Sequence, residues 1–197
     1  MALDDATLPN VIADVGATLR QVLRDQIADL TAEGRVVFAS PAEVDVATEP
    51  RLGLFLYQVL ETPQMRNHPP EPDGLSGTRR YQTVDLFYLI TPYTQQIDDG
   101  HRILGRVMRA FFEHGILKGS ILQGSLADIG QELRVLLHPL SLEDLNRLWG
   151  MFPSKPYRLS LAFQVTPVKV FGSSSGVSGR VVTRELDYAA IVEGARG

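Results

Sequence analysis

The sequence contains no cysteine. That removes disulfides, thiolate nucleophiles, iron–sulfur clusters and cysteine-ligated zinc from its chemistry. It also lacks a strong charge of either sign: 19 basic against 23 acidic residues leave −4 over 197 residues. Binding to nucleic acid runs on clustered Lys and Arg facing phosphates, so no nucleic-acid partner is expected. No apolar run approaches the ~18–20 residues of a membrane span. Met1 to Pro9 carries two aspartates and no basic residue, unlike a secretion signal. The expectation is synthesis in the cytoplasm without membrane insertion.

What is present suits one domain with an appendage. Apolar residues make up 44% of the chain, enough for a sizeable core at this length. From Asn10 to Leu30, apolar residues from Val11 and Val15 through Leu19, Leu23 and Ile27 recur at three- and four-residue steps, which predicts a helix ended near Gly34. Arg35 to Ala39 is a short strand candidate. In Arg51 to Leu60 both alternating sets are apolar, Leu52, Leu54 and Leu56 against Phe55, Tyr57 and Val59. Such a strand is covered on two faces and belongs inside a sheet. The stretch from Thr62 to Thr78, with four prolines and two glycines, reads as a loop.

Tyr81 to Ile90 is a second apolar strand, with Val84, Leu86, Tyr88 and Ile90 on one face and Thr91-Pro92 as its end. A helix opened by Asp98 or Asp99 runs to Glu113, with Ile103, Leu104, Val107, Met108, Phe111 and Phe112 as one apolar stripe and Gly115 as its stop. Gln131 to Leu137 reads as a strand. Ser141 and Asp144 stand at capping-box spacing before a short helix carrying Leu142, Leu145, Leu148 and Trp149. Tyr157 to Val165 alternates as a strand with one polar face. Gly172 to Gly176 is a Gly/Ser linker, and Arg180 to Ile191 is strand-prone again. These elements predict an α+β domain over residues 8–171, built on a mainly antiparallel sheet flanked by helices. Residues 172–197 form a C-terminal β-prone arm.

The search for catalytic chemistry returns structural readings. No two of the four histidines, His68, His101, His114 and His138, stand at i, i+3 or i, i+4 on a helix face, so no metal site is expected. Asp98, Asp99 and His101 cluster at a helix start, where carboxylates serve free N–H groups and the helix dipole. Gly172 to Gly176 matches the letters G-x-S-x-G, but a nucleophile elbow needs a buried strand and a following helix that this linker lacks. No phosphate-cradling glycine motif occurs, and no cofactor is expected. Trp149, Met151, Phe152 and Tyr157 form an aromatic knot read as core. Two features read as protein contacts. Arg102, Arg106 and Arg109 line one side of the second helix, either as a solvated face or as a stripe for an acidic neighbour. Val181, Val182, Thr183, Leu186 and Tyr188 give the arm its strand propensity.

Four stretches in combination carry a resemblance: PRLGLFLYQV at 50–59, DLFYLITPY at 85–93, HRILGRVMRAFFEH at 101–114 and LSLEDLNRLWGMFPSKPYRLSLAFQV at 140–165. Over residues 10–170 the chain resembles the cap, or tail-terminator, family of extracellular contractile injection systems. These are phage-tail-like particles of the virulence-cassette and antifeeding-prophage type. The resemblance implies a tail-terminator-like twisted sheet with helices packed on it. It implies a structural, non-enzymatic subunit that forms a hexameric ring, touches the inner tube protein and the sheath protein, and closes the distal end of the particle, setting its length and stability. It places the chain in an assembled particle, whether released or retained. Two alternatives stand beside it: a baseplate or sheath-adaptor component of the same kind of particle, and an enzyme whose site gathers Asp98, His101 and a serine.

Overall fold

In the computed structural model, residues 10–62, 71–72 and 78–172 are described. The arm residues Val181, Val182, Thr183, Leu186 and Tyr188, and with them residues 173–197, lie outside the described residues, as does His68.

A long curled sheet carries the fold. Its strands are β1 (Val36–Val37), β2 (Arg51–Glu61), β5 (Tyr81–Tyr93), β6 (Ile116–Leu117), β7 (Leu133–Leu137) and β8 (Leu161–Phe171), while β3 (Glu71–Pro72) and β4 (Thr78–Arg79) pair apart from it. The order across the six-stranded sheet is β1-β2-β5-β8-β7-β6, antiparallel everywhere except β1 against β2. Among the described residues four α-helices pack with it: α1 (Val11–Gln26), α2 (Ile97–Glu113), α3 (Ser125–Ile129) and α4 (Leu142–Gly150). The mainly antiparallel α+β architecture read from the sequence is the one observed.

The two-sided patterning of β2 has a direct physical counterpart. Leu52 and Leu54 join Leu86, Tyr88 and Ile90 of β5 in the main core, against Leu19 and Leu23 of α1 and Val107 and Phe111 of α2. On the opposite face Phe55 and Tyr57 pack with Leu89 of β5 and with Leu148 and Trp149 of α4. The sheet is therefore covered by α1 and α2 on one side and by α4 on the other. Val59 departs from this pattern, being exposed after the register shift between Leu56 and Gln58. Trp149 is buried and meets Phe152 and Tyr157 edge to face, as a core knot should, but Met151 and Tyr157 are themselves exposed.

Several element boundaries differ from the sequence reading, each for a local reason. The first helix stops at Gln26, because Ile27 turns extended (φ −123°, ψ 101°) before a short 3₁₀ turn over Ala28–Leu30. Ile27 and Leu30 stay buried through that turn, so the apolar stripe outlasts the helix. The Arg24 guanidinium donates to the Thr31 carbonyl at 2.9 Å, closing the turn. Proline ends neither long strand. β5 continues through Pro92 to Tyr93, because its ladder to β8 stops at Ile90 and asks no donor of Pro92 on that side. β8 begins only at Leu161 and continues through Pro167 to Phe171. Pro167 falls where two β8 residues face one β5 residue, a bulge that tolerates a missing N–H. The loop from Thr62 to Thr78 contains the small β3–β4 ladder at its base. α2 starts at Ile97 after an extended Gln96, so Asp98 and Asp99 occupy its first turn and neither is its cap.

The capping reading of α4 holds. Ser141 is extended (φ −67°, ψ 158°), and its Oγ accepts from the Asp144 amide at 3.1 Å. Ser141→Ala removes this acceptor from an exposed helix end. It is expected to cost about 1 kcal/mol and to lower the melting temperature by about 2–4 °C in a thermal scan. An unchanged melting temperature would mean that water replaces the cap fully.

Candidate protein-interaction surfaces

The helix α2 presents three faces, and each has a different chemistry. Ile103, Leu104, Val107, Ala110 and Phe111 face the core. Arg102, Arg106 and Arg109 line a second face, as their i, i+4, i+7 spacing requires. All three are exposed, and each holds a carboxylate: Arg102 takes Asp99 at 3.1 Å, Arg109 takes Glu113 at 2.8 Å, and Arg106 reaches across to Asp29 beyond α1. Glu113 also holds the Arg109 guanidinium above its ordinary range by hydrogen bonding and charge. The arginine row is thus an ion-paired surface stripe, one member of which ties α2 to the turn after α1.

The third face was missed by sequence reasoning. Met108 and Phe112 belong to the stripe read as core, yet both point outward, and Phe112 is 88% exposed beside a Phe111 that is only 2% exposed. The signal was available. Six apolar residues over Ile103–Phe112 sweep about half of the helix circumference, wider than the ~100° a core-facing stripe needs. The excess half, with Met108 and Phe112, stays uncovered. Next to Met108 and Phe112 stand the exposed Ile116, Leu136 and Leu137 at the β6–β7 edge, forming an apolar ledge with a shallow hollow behind Phe112.

At the other end of the same helix lies a groove of about 400 Å³, lined by Val46, Ile97, Leu104, Pro156 and Leu159 among others. Ile97 is 76% exposed at its mouth. Arg158 borders it, with its guanidinium 5.6 Å from the Tyr93 ring centre. Burial pushes the Tyr93 hydroxyl up to about 12, and the Arg158 charge opposes part of that shift. The Tyr57 hydroxyl, on the α4 side of the sheet, is raised first by burial and then by the negative charge of Asp144.

Asp98, Asp99 and His101, the cluster that suggested acid–base work, lie on the first two turns of α2. Asp99 is engaged by Arg102. His114 sits at the C-cap of α2, and the His138 ring packs edge-on against Phe87 at 5.0 Å. Among the described residues no group of three potential ligands is placed to hold a metal ion. No helix among them is long and apolar enough to cross a membrane.

Residues 14–184 match the family model described as the Pvc16 N-terminal domain, a stretch that runs past the end of β8. Comparison with curated proteins finds no match. Among solved structures the chain is similar to the sheath/tube terminator of PVC, an extracellular contractile injection system, in its extended state. The TM-score is 0.64 at 21% identity, over 92% of this chain and 65% of that one. It is similar also to the tube-terminating cap of the anti-feeding prophage, with TM-score 0.64 and 21% identity over 90% of this chain and 61% of that one. The chain therefore spans just under two thirds of the length of both.

Proposed function

This chain belongs to the Pvc16 N-terminal domain family, and on that premise we propose that it is the cap, or tail terminator, of a contractile injection particle. In this reading it closes the distal end of the inner tube and sheath and fixes the length at which the particle stops growing. One observation carries the proposal: the fold shared over nearly the whole chain with a sheath/tube terminator and a tube-terminating cap. The domain over residues 8–171 forms a homohexameric ring on the sixfold tube, and residues 172–197 serve as an attachment arm. A strand-prone arm suits this work because it adds to an open sheet edge through backbone hydrogen bonds. The arginine row Arg102, Arg106 and Arg109 faces an acidic neighbour within the particle. The role calls for shape and edge complementarity and includes no catalytic step and no nucleic-acid contact.

The test is deletion of the gene for this chain in a strain that builds the particle. Tubes and sheaths of irregular length, or particles that fall apart, are the expected result under negative-stain microscopy. Particles of uniform, normal length would overturn the cap reading.

A further inference from the structure

On one side the sheet ends in a strand that is only partly paired. β1 meets β2 at Leu52 and Gly53 and stops, although β2 runs on to Glu61. The Leu52 amide donates to the Arg35 carbonyl at 2.7 Å, so its polar groups face away from β5, and by the two-residue period those of Leu54 and Leu56 do too. Beyond the register shift the Thr62 amide donates to the Thr83 carbonyl at 2.9 Å, which turns Gln58 and Leu60 toward β5 and Val59 away from it. Among the described residues no strand lies along this edge past Gly53. Beside it, on the α1 side, runs a groove of about 650 Å³ lined by Ile12, Gly16, Phe38, Leu54, Leu56 and Tyr88. An open edge with an apolar groove next to it takes an extended segment: the ladder binds its backbone, and the groove binds alternate side chains.

Chain connectivity selects that segment. Glu61 of β2 lies beside Val84 of β5, and Val84 lies beside Val168 of β8. At the same end the Gly172 amide donates to the Arg80 carbonyl at 3.0 Å. The arm therefore leaves the sheet at the end where the β2 edge is open. Three strand spacings of about 4.8 Å, roughly 14 Å, separate β8 from the open position beyond β2. The Gly/Ser-rich residues 173–179 reach up to about 23 Å when extended. The free edge of β7 lies at the far end: β6 covers Leu133 and Arg134, and the uncovered Leu137 pairs with Phe163, well back along β8 from Phe171.

We infer that in the free chain the arm adds to its own β2 edge as a further antiparallel strand, with Leu186 and Tyr188 seated in the groove. β2 and β8 both run against β5, so an arm that turns back after Gly172 runs against β2. With Arg180 entering beside Leu60, Leu186 comes alongside Leu54 after about 20 Å of strand, where the groove lies. Val182, Leu186 and Tyr188 share one face of such a strand, and Glu43 on the groove's rim offers a carboxylate to Arg184 on the same face. A short flexible tether holds the arm at about millimolar effective concentration, so the chain's own edge fills before any neighbour's. The family match supports this, since it continues past β8 to residue 184. The inference rests on the cap reading in one respect: the stored strand is the one that the particle later draws out as its attachment arm.

The chain has no cysteine, so a single engineered pair reports the contact. Full-length protein carrying Gln58→Cys and Thr183→Cys is treated with a short bismaleimide and run on a denaturing gel, with and without Leu186→Asp. The expected product is a cross-linked monomer, formed at least about 10-fold faster than with Leu186→Asp, the loss of one anchoring side chain. In the cysteine-free chain, Leu186→Asp is expected to speed amide exchange at Leu56 and Val59 by at least about 10-fold. Circular dichroism should show every variant folded. Cross-linked dimers in place of monomer, a cross-linking rate that Leu186→Asp leaves unchanged, or Leu56 and Val59 amides that exchange equally fast in both chains overturns the inference. The cap reading is judged apart from it. Irregular particle lengths in the deletion strain, together with an unaltered cross-linking rate, would sink the stored strand and keep the cap.

Discussion

Phe111→Ala is expected to destabilise the protein by about 3–5 kcal/mol and to lower its melting temperature by roughly 10 °C or more. Phe112→Ala, one residue on, is expected to stay within about 0.5 kcal/mol of wild type when both are measured at concentrations where the chain is monomeric. The difference comes from direction alone. The Phe111 ring lies 4.9 Å from the Phe163 ring at 66°, between α2 and β8, with no solvent around it. Its removal leaves a cavity that the close-packed layer fills only in part. The Phe112 ring has water on most of its surface, so truncation removes few protein contacts. Urea unfolding of the two variants side by side decides the matter. Equal losses would mean that Phe112 packs on its own domain, and the exposed strip of α2 would not exist.

Gly124→Ala is expected to cost about 2–4 kcal/mol, combining backbone strain with the loss of a cap-like anchor. Gly124 sits at φ 58°, ψ −141°, just before α3, a conformation that residues with a Cβ rarely adopt. An added Cβ would lie 2.4 Å from the Asp14 carboxylate. That carboxylate is already committed: it accepts from the Ser125 amide at 2.9 Å and from the Ser125 hydroxyl at 2.5 Å. Through these bonds α1 holds α3 in place, helped by the Gln123 amide donating to Thr18 Oγ1 at 3.0 Å. Gly34→Ala is the control. Gly34 also has positive φ, 75°, but nothing lies within 4 Å of its added Cβ, so the cost is limited to about 1 kcal/mol. In an Asp14→Ala background the Gly124→Ala cost should shrink, since the clash partner is gone. Denaturant midpoints that coincide for Gly124→Ala and Gly34→Ala would refute the account.

The elements legible in the sequence are those whose period is long and regular. α1, β2, β5, α2 and α4 each repeat at 3.6 or 2 over enough residues to identify their type. The two-sided pattern of β2 even announces the layer that α4 supplies, through Phe55 and Tyr57 on one face and Leu52 and Leu54 on the other. Ser141 is legible because a cap is a local bond between neighbours. The misreadings share the opposite property. Pro92 reads as a strand end because proline lacks a ladder donor, and the strand from Tyr157 is read only as far as Val165, two residues short of Pro167. Whether that donor is needed depends on where the neighbouring strand stops or bulges, and no local pattern carries that. The small helix α3 passes unread, since its five residues are set by Asp14 from a helix far earlier in the chain.

The candidate surface divides in the same way. Composition and periodicity alone determine a cysteine-free α+β domain with amphipathic helices, an arginine row on α2 and a strand-prone tail. They also determine that α2 is apolar over more of its circumference than one core can use. Which half of that surplus is buried is decided only in three dimensions. The order β1-β2-β5-β8-β7-β6 brings β8 under Phe111, while the exposed β6–β7 edge, with Ile116 and Leu137, lies beside Met108 and Phe112. A hydrophobic period records that a residue seeks cover. The cover itself comes from strands distant in sequence, and so the buried Phe111 and the exposed Phe112, adjacent and identical in the chain, part company only in the fold.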